Sequence, residues 1–262
     1  MANGVSTLRF SEREDIRENT FERIWTEELD IVFADVASYY DNANYVASLG
    51  LWGMFRDSFV STIELHTGQK ALDVCAGTNA IGIALLKKQP DIEVYAIDRS
   101  VAMQGVGRER AGKQGFHIDS TIGDVHRLPF PDNHFDLVTL QFASRHLRIM
   151  TVFHEIQRVL KPGGYFYHCD MLRPGSKIVQ QLHYTYLKFC LTMTARIFSS
   201  GPAALGCRKY FLDALHMFYS AAELTDLLEH MGFVNVSSKT LLGGLLGFHK
   251  AAKDSNGQHD FS

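Results

Sequence analysis

Cysteine is scarce in this chain: Cys75, Cys169, Cys190 and Cys207 are the four among 262 residues, and no two form a C-x-x-C pair. That spacing supplies neither the paired thiolates of a zinc site nor a disulfide framework, and a cytosolic compartment keeps such thiols reduced. Proline is scarcer than average, at six residues, which removes collagen-like and low-complexity architectures. Positive charge has no excess: 26 Lys and Arg stand against 29 Asp and Glu, for a net charge of −3. Without a basic field, nucleic acid is not an expected partner and small molecules are. No apolar run approaches the roughly 18–20 residues of a membrane span. The opening MANGVSTLRFSEREDIREN also lacks the apolar stretch of a secretory signal. The expectation is a soluble, cytoplasmic protein.

What is present is 46% apolar residues, enough to bury the core of one large domain or of one with a small appendage. Ser11 followed by Glu14 has the form of a capping box, and Ile16, Phe21, Ile24 and Trp25 make an apolar stripe. Together they predict an N-terminal helix over about residues 12–29, packed as a lid or arm. From Lys70 short apolar runs alternate with helical patterns: ALDVCAG, IEVYAID, HIDSTIG, FDLVTLQF and YFYHCDML read as strands. Between them NAIGIALLKKQ, VAMQGVGRERAGKQ (with two weakening glycines) and TVFHEIQRVL read as helices, the last stopped by Lys161-Pro162-Gly163-Gly164. This rhythm predicts an α/β fold with a doubly wound, mostly parallel sheet covered on both faces.

Residues 175–219 break the rhythm with aromatic helical stretches, KIVQQLHYTYLKFCLTM and PAALGCRKYFLDALHMF. Their aromatics suit either a core face or an apolar cleft for an isoprenoid tail, with a membrane-facing patch as a further use. SAAELTDLLEHMGF reads as a helix capped by Ser220 and Glu223, and VNVSSKTLLGGLLGFHK as a closing hairpin around Gly243-Gly244. The expected divisions are an N-terminal helical arm or lid (1–60), an α/β core (61–174), a helical cap (175–219), a C-terminal helix and hairpin (220–252) and a tail (253–262).

In an open parallel sheet the ligand sits at the carboxyl ends of the strands, where strand order reverses. The turn after the first strand reads Asp73-Val74-Cys75-Ala76-Gly77-Thr78-Asn79-Ala80-Ile81-Gly82. A dinucleotide fingerprint has glycine at the position of Asn79, so that the backbone can approach a pyrophosphate. Asp98 ends the second strand 21 residues after Gly77 (98 − 77), where an acid accepts ribose hydroxyls. An adenosyl group therefore fits this turn better than a pyrophosphate.

These residues, with Gly123-Asp124-Val125-His126-Arg127-Leu128-Pro129-Phe130-Pro131, Phe135-Asp136, Phe142-Ala143-Ser144-Arg145 and Arg158-Val159-Leu160-Lys161-Pro162-Gly163-Gly164, resemble a class I S-adenosylmethionine (SAM) dependent methyltransferase. More narrowly they are similar to the ubiquinone/menaquinone biosynthesis C-methyltransferases. Tyr40-Asp41 with Asn44, Ser48, Gly50 and Arg56, then Tyr210-Phe211-Leu212, Gly232-Phe233 and Gly244 with His249, extend the resemblance over about residues 30–252. The resemblance implies a seven-stranded Rossmann-like sheet with an antiparallel last strand and a substrate cap. It implies SAM as cofactor, released as S-adenosylhomocysteine, with Cys75, Ala76, Gly77 and Thr78 at the methionine portion and Asp73 at its amino group. Asp98 with its neighbour Arg99 falls at the ribose, Asp124 and Val125 at adenine, and Gln141 toward the sulfur. Tyr40 would close over cofactor and acceptor.

This chain departs from the family pattern at Ala76 and Asn79-Ala80 in the turn, at His146 after Arg145, and at Trp52-Gly53. The last two fall in segments expected to face the acceptor. Methyl transfer is an in-line displacement that needs alignment and dryness more than a metal, so none is expected. For a quinol acceptor, His146 is the candidate base, while the Arg145 guanidinium would hold a phenolate or orient a water. The plainer alternative has Arg145 and His146 capping the next helix or pairing with an acid; His168 is expected to be a core residue. An isoprenoid quinol is the leading acceptor, with peripheral membrane contact and a homodimer as accompanying expectations. Alternatives are an N-, O- or S-methyltransferase for another small molecule or a phospholipid, a nucleotide-binding oxidoreductase, and a SAM-binding protein without catalysis.

Overall fold

The computed structural model describes residues 3–198 and 206–255, and the side chains of all of these except 3–9 and 195. The start of the expected helix at Pro202 and most of the expected tail lie outside the described residues.

Seven strands form one sheet: β1 (Lys70–Val74), β2 (Glu93–Asp98), β3 (Asp119–Ile122), β4 (Phe135–Gln141), β5 (Leu160–Met171), β6 (Phe233–Leu241) and β7 (Leu246–Lys253). Their order is β3-β2-β1-β4-β5-β7-β6. β7 runs antiparallel to both its neighbours and the other ladders are parallel. Alternate residues along a strand face opposite sides, so Leu72 and Val74 enter one core layer and Ala71 the other. Helices α5 (Ala80–Lys88), α6 (Val101–Lys113) and α7 (Ile149–Val159) are the crossovers. Helix α7 buries Ile149, Val152, Phe153, Ile156 and Val159, one stripe at helical spacing; each such side chain contributes about 1.5–3 kcal/mol when fully buried. Strand order reverses between β1 and β4, so their carboxyl ends open the crevice in which ligands bind to such sheets.

The N-terminal part differs from expectation. Helix α1 runs Asn3–Arg23, passes into a π turn over Ile24–Glu28 in which Leu29 N–H reaches Ile24 O, and continues as α2 (Leu29–Val36). Ser11 therefore lies inside a helix and does not cap one, and Glu14 instead accepts from Arg17 and from the Tyr219 hydroxyl. Ile16 faces solvent, whereas Phe21 and Trp25 are buried. Two shorter helices, α3 (Tyr40–Ala47) and α4 (Trp52–Ser61), lead into β1. Lys161-Pro162-Gly163-Gly164 does not separate helix from strand: it lies inside β5 as a register shift against β4, between the pairs Phe135–Leu160 and Leu137–Tyr165. Gly164 belongs there because a Cβ would stand 2.9 Å from Lys161 O and 3.0 Å from Asp136 O.

Over the crevice lie α8 (Lys177–Ile197) and α9 (Arg208–Met217). Phe21, Trp25, Leu29 and Val32 pack with Cys207, Tyr210 and Ala214 of the α9 region in a core cluster apart from the sheet. Helix α10 (Ala221–His230) carries the expected capping box: Ser220 Oγ accepts from Glu223 N–H and Glu223 accepts from Ser220 N–H, worth about 1 kcal/mol. The hairpin of β6 and β7 turns through Gly243 and Gly244, at φ +67° and +92°, where glycine adopts the left-handed region without strain. Among the described residues no helix is long and apolar enough to cross a membrane.

Candidate active site

The crevice holds two cavities. The first is lined from β1 and its turn by Asp73, Cys75, Ala76, Gly77 and Thr78, from the end of β2 by Asp98 and Arg99, and from β4 by Gln141. Asp98 Oδ2 accepts the Gly77 N–H at 2.8 Å and Oδ1 the Ser100 N–H at 2.8 Å. One carboxylate thus ties the turn to the start of α6, and burial raises its pKa. Asp73 is buried, with Oδ1 accepting from Thr139 Oγ1 at 2.7 Å and Oδ2 without a partner among the described residues. Burial pushes its carboxyl up to about 7.

Asn79 caps α5 in the left-handed conformation at φ +55°. Its side chain does not enter the cavity, contrary to what the spacing suggests. It is fully buried beneath the turn, accepting from Gln104 Nε2 at 2.9 Å and donating to Ser120 Oγ at 3.4 Å. Gly107 of α6 permits this: a Cβ there would stand 2.8 Å from Asn79 Cγ and 2.9 Å from the Thr78 carbonyl carbon. What disfavours a pyrophosphate is charge. Asp41, Asp73 and Asp98 line the cavity against one cation, Arg99, which is held by Asp30 at 2.5 Å. A cationic ammonium beside the partnerless Asp73 Oδ2 suits this field, so the residues present fit SAM.

Asp41 was not among the assigned contacts, although the Tyr40-Asp41 doublet carries the signal. It accepts from Thr78 Oγ1 at 3.0 Å and pairs with Arg110 at 2.5 Å, latching α3 onto the turn. Asp124 and Val125 are not among the lining residues. Asp124 is exposed and engaged by His126, through its N–H at 3.0 Å and its ring at 2.6 Å, and Val125 is buried in the core. Phe33 and Met103 line the cavity with no motif to announce them.

The second cavity, of about 590 Å³, opens beneath α8 and α9 and is mostly apolar. Phe33, Tyr40, Trp52, Phe142 and His146 line both cavities and so mark their junction. Trp52 stacks on Phe142 at 4.7 Å, and Phe142, at the end of β4, takes a left-handed φ of +56°, a strained conformation of the kind that gathers at functional sites. Of the aromatic cap residues, Tyr186 and Phe211 line the cleft, Tyr210 packs into the core, and Phe189 is exposed. The segment therefore contributes to a core face and to the lining of an apolar cleft, on different residues.

Arg145 lines the cleft and also forms an ion pair with buried Asp170. Asp170 in turn accepts from Ser144 N–H at 2.8 Å. Arg145 thus pairs with an acid and faces the cleft together. His146 is buried, its Nδ1 2.6 Å from the Tyr210 hydroxyl. Burial first, then the charges of Arg145 and Arg17, hold its pKa well below the ordinary imidazole value. Both effects oppose a second proton on the ring, which weakens its assignment as general base. Tyr40, pushed up to about 12 by burial, keeps its proton. His168 is a core residue, 2.6 Å from Ser144 Oγ.

This strand order, with an acid-lined site at the switch point, defines a SAM-dependent methyltransferase of class I. Residues 22–253 match the model of the ubiE/COQ5 methyltransferase family. The chain is 34% identical over 225 residues to a demethylmenaquinone methyltransferase of Anoxybacillus flavithermus, covering 85% of this chain and 94% of that one. It is 30% identical over 232 residues to the Staphylococcus aureus protein of the same name, covering 88% and 95%. A SAM-dependent methyltransferase from Aquifex aeolicus shares the fold, with a TM-score of 0.54 at 21% identity over 76% of this chain and 89% of that one. The chain belongs to the ubiE/COQ5 methyltransferase family, and its cofactor is SAM.

Proposed function

We propose that the chain methylates a ring carbon of an apolar quinol carrying an isoprenoid tail, of the reduced demethylmenaquinone type that its relatives' name indicates. The observation that carries this reading is the apolar cleft meeting the cofactor cavity at Tyr40, Trp52, Phe142 and His146. An ethanolamine-type headgroup would need a carboxylate for its ammonium, and none is among the residues lining this cleft.

SAM supplies an electrophilic methyl on a sulfonium. Asp73 and Asp98 would hold its amino group and ribose, with Arg99 and Gln141 beside them in the wall. The stacked Trp52 and Phe142 rings and the Tyr40 ring exclude water from the junction. Arg145 contributes a fixed positive charge at the cleft, which favours the ionised form of a phenol and raises electron density at its ring carbons. The Asp170 partner keeps that guanidinium from wandering.

Leu49, Leu182 and Leu242 line the cleft and are 76%, 67% and 54% exposed. An apolar rim of this kind suits uptake of a long-tailed quinol from a lipid surface. Turnover measured with naphthoquinols of increasing tail length tests the reading. The kcat/KM is expected to rise over the first isoprene units, each buried CH₂ adding up to about 0.8 kcal/mol, and phosphoethanolamine is expected to remain unmethylated. A flat tail-length series, or methylated phosphoethanolamine, would favour the alternative acceptor class.

A further inference from the structure

His146 stands at the junction of the two cavities in a cage of three rings, with Phe33 at 6.3 Å, Tyr210 at 5.4 Å and Phe211 at 5.4 Å between centroids. The ring is therefore fixed, and the question is which nitrogen carries its proton. Trp25 Nε1–H, carried inward by the π turn, donates to the Tyr210 hydroxyl oxygen at 2.8 Å. An indole nitrogen can only donate, so the Tyr210 oxygen is an acceptor there and its single proton is free to point elsewhere. The neighbour in reach is His146 Nδ1 at 2.6 Å. Tyr210 O–H thus donates to Nδ1, and the proton of a neutral imidazole then resides on Nε2. The opposite arrangement would leave the proton of a buried hydroxyl without an acceptor, which is costly.

We propose that His146 acts as a neutral Nε2–H donor to the phenolate oxygen of the acceptor, with Tyr210 and Trp25 as the positioning residues that hold this tautomer. The identity of that oxygen rests on the quinol reading above; the state of the ring does not. Among the described residues Nε2 has no hydrogen-bond partner, whereas Nδ1 is engaged. Burial and the nearby cations Arg145 and Arg17 oppose a second proton on the ring, so it remains a donor through Nε2 and an acceptor only toward Tyr210. A fixed N–H aimed at developing charge in a water-poor site acts as an oxyanion donor does. The ring abstracts nothing: the phenolic proton is lost to bulk solvent as the acceptor enters, the carbon–methyl bond forms as the sulfur–methyl bond breaks, and the hydrogen of the methylated ring carbon leaves as a proton to solvent with product release.

The test uses the full-length chain labelled with ¹⁵N-histidine and a set of variants. The His146 ring is expected to show the Nε2–H tautomer and no titration between about pH 6 and pH 9. His146→Gln keeps an amide N–H and no basic nitrogen, so its kcat is expected within about tenfold of the parent, while His146→Leu loses about 100-fold or more. Both should bind SAM as the parent does, which reports that they fold. Tyr210→Phe is expected to mix the two tautomers and lower kcat by about tenfold with KM unmoved, a spectroscopic change that a purely structural role would not produce. An Nδ1–H tautomer, titration near the ordinary imidazole value, or a His146→Gln variant as inactive as His146→Leu would overturn the proposal. Failure of the acceptor reading looks different: the parent chain then methylates no quinol, and the ring's tautomer still decides the proposal for whichever acceptor is found.

Discussion

Asp73 lines the cofactor cavity, and burial leaves it with a carboxyl at about 7 and one oxygen without a hydrogen-bond partner among the described residues. The methionine ammonium of SAM pairs with the carboxylate alone, so below pH 7 SAM must displace a proton to bind, and above pH 7 it need not. The affinity for SAM is expected to climb as pH rises from about 6 to about 8, with proton release on binding below 7. Calorimetry in buffers of different ionisation enthalpy measures both; Asp73→Asn is expected to bind more weakly and without the pH dependence. An unchanging affinity for the parent chain would count against the pairing. Asp73, Gly77 and Asp98 were legible in the sequence because a strand, a tight turn and a second strand end fix their relative places. The direction of the Asn79 side chain was not, since the left-handed turn swings it under α6. Phe33 and Met103 reach the cavity only through tertiary packing, which leaves no local signal.

Between elements, the contact of α6 with the β1 turn depends on Gly107. Gly107→Ala would place a methyl 2.8 Å from Asn79 Cγ, and overpacking of this kind costs about 1–3 kcal/mol. Thermal unfolding should show that loss together with weaker SAM binding, because the displaced turn is the one held by Asp98. Outside the lining of both cavities, Glu223 joins α10 to Arg13 of α1 at 3.0 Å and to Arg173 at 2.6 Å. Burial alone would raise its pKa, but the Ser220 N–H and hydroxyl and the two guanidinium groups hold it down to about 2. Its folded value lies below its unfolded one, so its stabilisation is complete above about pH 5 and is lost as pH falls toward 2. Glu223→Gln is expected to be less stable at neutral pH and to show a shallower loss through that window in acid-unfolding curves. The pattern of residues 12–29 predicts the right type of element but the wrong start, since Ser11 has capping chemistry that α1 overrides by continuing through it. Likewise Pro162 and Gly163-Gly164 look like a stop, yet they occupy an irregularity within β5.

For the whole molecule, the doubly wound parallel sheet and the placing of the ligand crevice follow from alternating strands and helices, whereas the seven strands and the antiparallel β7 were implied by the family resemblance. The second cavity was not legible, because α8 and α9 have aromatic spacing that suits core and cleft equally, and only their docking against α2 and α3 separates the two. The carboxylate-rich first cavity should discriminate by charge. SAM or S-adenosylhomocysteine at 100 times its dissociation constant adds about 2.7 kcal/mol to stability, and NADH is expected to add nothing measurable by thermal unfolding. The most direct measurement supplies the chain with SAM labelled by ¹³C at the methyl group, a reduced demethylated naphthoquinol and a phospholipid extract together, and locates the label by mass and NMR. The account predicts a methyl bonded to a quinol ring carbon; label on oxygen, on nitrogen or on a lipid headgroup would contradict it.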